Sequence, residues 1–320
     1  MLLSELLEKE ISALVDQFES LWPGYWEEDN PVPPHRQRTT VNRFSGYAMF
    51  LGLGRKKCPG MKGLRAWQKR LGPVRDLDVV RGWTAKAHKA AGEGAAAAAE
   101  ALQENLTGRR AALMEGVRPD AAGLPGANAR VALQEARGQL LTAVERLRQR
   151  PEEFDRLAAF EAVRQPWEEA LRTLEDRPVE DALHAFRVRN KRLRFVLDIL
   201  AAEEKEAGTG GRTLRNAARF AARTHTTLGN LSDLWMLRDE LRLARQRWQG
   251  EKRGLEESAR ALEAGRAGLE AGEFDGWFRD WPTLANRQRL ARVKTRLAEP
   301  PQPSEEAVAL HETTDGGERT

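Results

Sequence analysis

LHAFRVRNKRLRFVL, residues 183–197, sets five Lys or Arg and one histidine in fifteen positions, with no carboxylate among them. A helix turns about 100° per residue, so His184, Arg187, Lys191 and Arg194, spaced i, i+3, i+7 and i+10, share one face. Phe186, Leu193, Val196, Leu197 and Leu200 gather on the opposite side. The stretch reads as an amphipathic helix with an apolar inner face and an outer row made only of cations. The rest of the chain agrees. Ala, Leu, Arg and Glu dominate, β-branched residues are sparse, and strand-like alternation is not sustained anywhere. The expected fold class is all-α.

The positive charge of that helix is sorted rather than accumulated. The 320 residues hold 52 Lys+Arg against 48 Asp+Glu, for a formal charge of only +4. A chain of this length suits one large domain or two of ordinary size. Its single cysteine, Cys58, excludes a disulfide framework and a thiolate cluster for zinc. The N-terminal MLLSELLEKE carries acids early, unlike a secretory signal. No apolar run approaches the ~18 residues of a membrane span. A soluble, cytoplasmic protein is expected.

Leu3, Leu6, Leu7, Ile11, Leu14 and Phe18 predict a helix over 2–20. LWPGYWEEDNPVPP follows as a loop, with Trp22, Tyr25 and Trp26 anchoring it to the core. Pro34 suits a first helical position, and the helix it opens runs to the glycines at 52 and 54. A third helix is expected from Pro59 to Gly72, with the glycine as its stop. A fourth opens at RDLDVV, followed by the Ala-rich stretch 95–115. GVRPDAAGLPGAN, 116–128, is the best internal boundary. Helices are then expected at about 128–150 and 152–174. Another runs from Pro178 to the glycines at 208–211, one more to Leu228, and long helices fill 231–271. A basic terminal helix covers 281–297, and the tail 299–320 reads as disordered.

The chain carries an internal repeat. Setting His35 over His184 aligns HRQRTTVNRFSGY with HAFRVRNKRLRFV, so that Arg38 meets Arg187 and Arg43 meets Arg192. Downstream in each copy, LGPVRDLDVV from Leu71 matches LGNLSDLWML from Leu228, and Asp76 meets Asp233. Two blocks in the same order argue for duplication, with residues 1–116 and 129–275 as the copies and 117–128 as the linker. Each copy supplies about four helices, and the two pack as a pseudo-dimer. The segment 276–298 stands apart as a basic C-terminal helix.

In each copy the following helix repeats the cationic row. Arg212, Arg215, Arg219 and Arg223 share a face, as do Lys62, Arg65 and Lys69. Between Pro31 and Arg75 there are eleven Lys or Arg and no acid, and between Ala207 and Ser232 four arginines and no acid. A solvated helix face gains from mixed signs, whereas like charges four apart cost roughly 0.2–0.5 kcal/mol a pair. Rows that carry this penalty call for a polyanionic partner, held in a groove that focuses anions. In the first copy Asn42 and Ser45 stand where cations would be, so its row is thinner. Asp76, Asp78 and Asp233 are placed near helix starts, where capping or pairing with arginine suits them better than magnesium. No P-loop, zinc-binding His pair or paired carboxylates stand out, so no catalytic residue, metal or cofactor is assigned.

His-x-x-Arg-x-x-x-Lys-Arg-x-Arg, His184 to Arg194, with its second element at Leu71–Asp76 and Leu228–Asp233, resembles the hallmark of the CHAD domain, the conserved histidine α-helical domain. The resemblance spans roughly residues 2–275. It implies two pseudo-symmetric four-helix bundles with a basic groove or pore between them, binding inorganic polyphosphate, and association with polyphosphate granules. Carried onto this chain, the implied binding residues are His35, Arg38 and Arg43, then His184, Arg187, Lys191, Arg192 and Arg194. Lys62, Arg65, Lys69, Arg212, Arg215, Arg219 and Arg223 match less rigidly. Many family members carry a fused triphosphate hydrolase domain with a Glu-x-Glu-x-Lys signature, which is not seen here. The resulting expectation is a non-enzymatic polyphosphate binder. The rivals are a nucleic-acid-binding module, for which Tyr47, Trp67, Phe195 and Phe220 would have to act as stacking platforms, and, more weakly, an enzyme of phosphate metabolism.

Overall fold

The computed structural model describes residues 2–27, 30–53, 58–117, 125–176, 179–208, 212–248, 253–280 and 283–298. Among them there are ten α-helices and no strand: α1 (Leu3–Ser20), α2 (Val32–Phe50), α3 (Gly60–Ala91), α4 (Ala96–Glu115), α5 (Pro125–Gln149), α6 (Arg156–Asp176), α7 (Glu180–Glu206), α8 (Arg212–Trp248), α9 (Arg253–Asp280) and α10 (Thr283–Ala298). The tail 299–320 and most of the segment 117–128 lie outside the described residues. The helices fall into two compact units. One, called here the α3 unit, comprises Glu10–Ala143 and Thr224–Trp281; the other, the α7 unit, comprises Met1–Lys9, Val144–Arg223 and Pro282–Thr320.

Two expected helix ends are not ends. α3 runs 32 residues straight through Gly72 and Pro73, and α8 runs 37 residues through Gly229. A proline inside a helix removes one backbone hydrogen bond and costs about 3 kcal/mol. Against that stands the buried stripe of α3, Leu64, Trp67, Leu71, Val74, Leu77, Val80, Trp83 and Ala87, which continues without a phase break across the proline. A single fully buried large apolar side chain contributes roughly 1.5–3 kcal/mol, so the stripe outweighs the proline several times over. Gly52 and Gly208 do follow helices, both in the left-handed region at φ +67° and +69°.

In the α3 unit, Leu77, Val80 and Trp83 of α3 meet Ala98, Ala99, Leu102 and Leu106 of α4. Leu234, Leu237 and Leu241 of α8 and Leu262 of α9 complete this core. Small residues set the spacing: a Cβ on Gly265 of α9 would stand 2.4 Å from the Ala87 carbonyl oxygen of α3. One of the first free amides of α4 finds a partner on α9, since Ala98 N–H donates to Ser258 Oγ at 3.0 Å. Elsewhere in the unit the 22–25 loop is anchored as expected. Trp22, Tyr25 and Trp67 are buried with ring centroids 5.5–6.2 Å apart. The buried Gln37 accepts from Tyr25 Oη and Trp67 Nε1, each at 2.8 Å, and donates to the Phe18 carbonyl at 3.2 Å. This side chain satisfies two buried donors that would otherwise be stranded.

In the α7 unit, Trp167 of α6 is the centre, 5.5 Å from Phe186 of α7 and 6.5 Å from Phe220 of α8. Its Nε1 donates to the buried Asn190 Oδ1 at 3.2 Å, and Asn190 Nδ2 donates to the Ala221 carbonyl at 2.9 Å, tying α7 to α8. Phe186, Leu193, Val196, Leu197 and Leu200, the expected apolar face of α7, are all buried. Asp155 caps α6 by accepting from Ala158 N–H at 2.9 Å.

Candidate anion-binding site

In the α3 unit, α2 and α3 lie antiparallel, as shown by the order of their contacts. Arg38 Nη1 donates to the Gln68 carbonyl at 2.7 Å, while Gln68 Nε2 donates to Asn42 Oδ1 at 2.8 Å and to the Arg38 carbonyl at 3.3 Å. The guanidinium passes over Gly72, where an added Cβ would stand 3.0 Å from Arg38 Nη1. Gly72 therefore does not stop the helix; it makes room for an arginine from the neighbouring one. Position 72 also continues the row Lys62, Arg65, Lys69 at i+10. Arg38 thus stands in that row as its next cation, in place of a side chain from α3 itself. Asn42 serves the same link through Gln68, which accounts for the polar residue in the thinner row.

His35, one turn before Arg38, faces Arg75 of α3. Arg75 Nη1 pairs with Asp76 at 3.1 Å and Nη2 with Asp233 of α8 at 3.3 Å. Partial burial, then Arg75 and Arg38, push the His35 pKa below its ordinary value, against the pull of Asp233, and Arg36 lowers it further. His35 and Arg75 help line a pocket of about 300 Å³ with Pro31, Val32 and Asp78. The three aspartates are not at helix starts: Asp76 and Asp78 lie mid-way along α3, and Asp233 mid-way along α8. They pair with arginines instead, Asp78 with the buried Arg110 at 2.5 Å. Arg75 was absent from the expected site, although it directly precedes Asp76 in the second matched block.

The outer cations of this unit, Arg43, Lys62, Arg65 and Lys69, are exposed. Among the described residues no carboxylate lies within ion-pairing distance of any of them. Arg43 sits five residues beyond Arg38, about 140° round the helix, so it does not belong to the row that Arg38 joins.

In the α7 unit, His184 and Arg192 are exposed, and Arg187, Lys191 and Arg194 are half-buried along α7. Arg194 pairs with Asp198, one turn on, at 3.3 Å, so the row is not free of acid at that end. Arg212, Arg215, Arg219 and Arg223 are all exposed on α8. Arg212, Arg219 and Arg223 have no carboxylate within ion-pairing distance among the described residues. The same helix face thus presents a run of exposed guanidiniums, several of them unbalanced. By contrast, two arginines of α6 are matched, Arg164 with Glu161 and Arg156 with Glu203 of α7. Balancing acids are thus supplied to part of the chain's arginines and not to these.

A family model described as the CHAD domain matches residues 9–242, well over half of the chain. The chain belongs to the CHAD domain family. Its CHAD region takes in α2, α3, α7 and the whole arginine row of α8, and ends inside α8. The crystal structure of the CHAD domain from the plant Ricinus communis matches with a TM-score of 0.58 at 18% identity, covering 91% of this chain and 92% of that one. At that identity the likeness speaks for the fold. No curated protein matches the sequence. Among the described residues of this CHAD protein, no helix is long and apolar enough to cross a membrane.

Proposed function

We propose that this CHAD protein binds inorganic polyphosphate through the cationic rows of α2, α3, α7 and α8, and does so without chemistry on the chain. The observation that carries the reading is the set of exposed cations with no carboxylate in reach among the described residues: Arg43, Lys62, Arg65 and Lys69, then Arg212, Arg219 and Arg223. Charges left unbalanced at i+3 and i+4 spacing raise the free energy of the unliganded protein, and a polyanion removes that cost on binding. Arginine suits phosphate because its planar fork can take two oxygens at once. A flexible polymer of phosphates can engage separate rows in turn, so the proposal does not require them to face one another.

The duplication belongs to the same proposal. His35 and His184 are exposed, Arg38 and Arg187 half-buried, and Phe44 and Leu193 buried, so the aligned blocks share one pattern of exposure. Each block lies on a helix followed directly by a long one, α2 before α3 and α7 before α8. Recruitment to polyphosphate granules would follow from binding. Nucleic acid is the less favoured ligand because Tyr47, Trp67 and Phe220 are buried and cannot present a ring to a base.

The test is a binding isotherm with long-chain polyphosphate across a salt series, for the parent, Lys62→Gln/Lys69→Gln and Arg212→Gln/Arg219→Gln. The expected slope of log K against log salt is about −0.7 per phosphate engaged, and each double variant should flatten it by about 1.4. A flat isotherm at low ionic strength ends the reading. Displacement by single-stranded DNA at equal phosphate concentration turns it toward nucleic acid, and release of phosphate from the polymer turns it toward an enzyme.

A further inference from the structure

Helix α10 lies beyond the CHAD match and divides its cations into two sets. Arg287 pairs with Glu175 at 2.7 Å, Lys294 with Glu161 at 3.7 Å and Arg296 with Glu204 at 3.3 Å. Arg289 and Arg292, one turn apart, have no carboxylate within ion-pairing distance among the described residues. Arg289 stands between Arg292 and Arg223, the last arginine of the α8 row, and feels the charge of both. Arg289 Cζ lies 5.2 Å from the ring centroid of Phe220, which is one turn before Arg223 on α8. Arg289 Nη1 donates to Asn286 Oδ1 at 3.0 Å. Asn286 is itself buried, 1% exposed, and its Nδ2 has no hydrogen-bond partner among the described residues. Partial burial, then Arg223 and Arg292, push the Arg289 pKa below its ordinary value. Three guanidiniums are therefore gathered with an aromatic face and an amide oxygen as their neutral supports, while nearby cations of the same helix are each given an acid. An anion with several oxygens in a small volume is what such a cluster fits.

We propose that Arg223, Arg289 and Arg292 form a phosphoryl-binding subsite that carries a polyphosphate chain beyond the residues matched by the family model and onto α10. The proposal rests on the polyphosphate reading above and extends it to residues outside the family match. Three guanidinium forks offer more donors than one phosphoryl group has oxygens, so the subsite can hold one group firmly or two neighbouring groups of the polymer.

The test uses the full chain and long-chain polyphosphate, comparing the parent with Arg289→Gln/Arg292→Gln, with Arg292→Gln alone, and with Arg287→Gln/Lys294→Gln. The last variant removes the same two charges from the same helix, but from paired positions. Loss of two phosphate contacts should flatten the salt slope by about 1.4, which at 0.1 M salt corresponds to roughly 25-fold weaker binding. Arg292→Gln, at an exposed side chain, should give about half that change in slope even if replacing Arg289 disturbs α10. The paired-position control should stay within about threefold of the parent, because distant exposed charges are screened. An equal loss in that control would assign the effect to net charge and overturn the subsite. Parent-like binding by Arg289→Gln/Arg292→Gln, alongside weakened binding by Arg212→Gln/Arg219→Gln, would overturn the subsite and leave the polyphosphate reading standing. A parent that binds no polyphosphate would remove both.

Discussion

Replacing Gly72 by alanine sets two local contributions against each other. In a helix interior alanine is favoured over glycine by about 1 kcal/mol. Here, however, the new Cβ would stand 3.0 Å from Arg38 Nη1, which donates to the Gln68 carbonyl at 2.7 Å. A hydrogen bond from a charged donor contributes about 1.5–3 kcal/mol, so displacing the guanidinium should turn the expected gain into a net loss of about 0.5–2 kcal/mol. In an Arg38→Met background nothing charged remains to be displaced, and Gly72→Ala should stabilise by up to ~1 kcal/mol. The coupling between the two positions is then about 1.5–3 kcal/mol, well above the few tenths expected of independent sites. Urea melts followed by far-UV ellipticity on the four proteins of this cycle give it directly. An equal gain from Gly72→Ala in both backgrounds would refute the idea that the glycine exists to admit Arg38.

Other outcomes follow from the same contacts. Burial and the neighbouring arginines lower the His35 pKa from 6.5, so the unfolded chain takes up a proton there before the folded one does. The stability His35 contributes is present above pH ~6.5 and is lost as pH falls toward the lowered folded value; His35→Gln should flatten the change in Tm between about pH 7.5 and about pH 5.5, and an unchanged slope would refute this. Arg110→Met leaves the mostly buried Asp78 without its closest partner and should cost about 3–5 kcal/mol in thermal or urea melts. Gln37→Leu strands the Tyr25 hydroxyl and the Trp67 indole N–H together; at about 1–3 kcal/mol for each buried donor left unpaired, a loss under 1 kcal/mol would mean the pocket rearranges around them.

The rows of like charge were legible because helical spacing alone determines which side chains share a face, and the buried stripe of α7 falls where its periodicity puts it. What local reading could not supply is any distinction that depends on a second helix. Gly72 looks like a stop in its own segment, and only the guanidinium arriving from α2 shows its use. Asp76 and Asp233 look like caps, yet both belong to Arg75, more than 150 residues from one of them in sequence. The acid that balances Arg194 lies one residue outside the stretch that drew attention to it. The basicity of α10 is plain from its composition, but which of its cations lack an acid depends on glutamates in α6 and α7. Residue type and spacing therefore announced the cationic faces, while the pairing that separates balanced from unbalanced charge needed the packed helices.

Ser258 reaching back to the start of α4 has a bearing on how the chain is made. Residues 98 and 258 are 160 positions apart, so during synthesis α4 waits for α9 to leave the ribosome before its Ala98 amide is covered. The α6 and α7 pair needs no such delay and can assemble first from contiguous chain. Nascent α3 and α4, their alanine-rich flank bare in the interval, would be the stretch for a chaperone to guard.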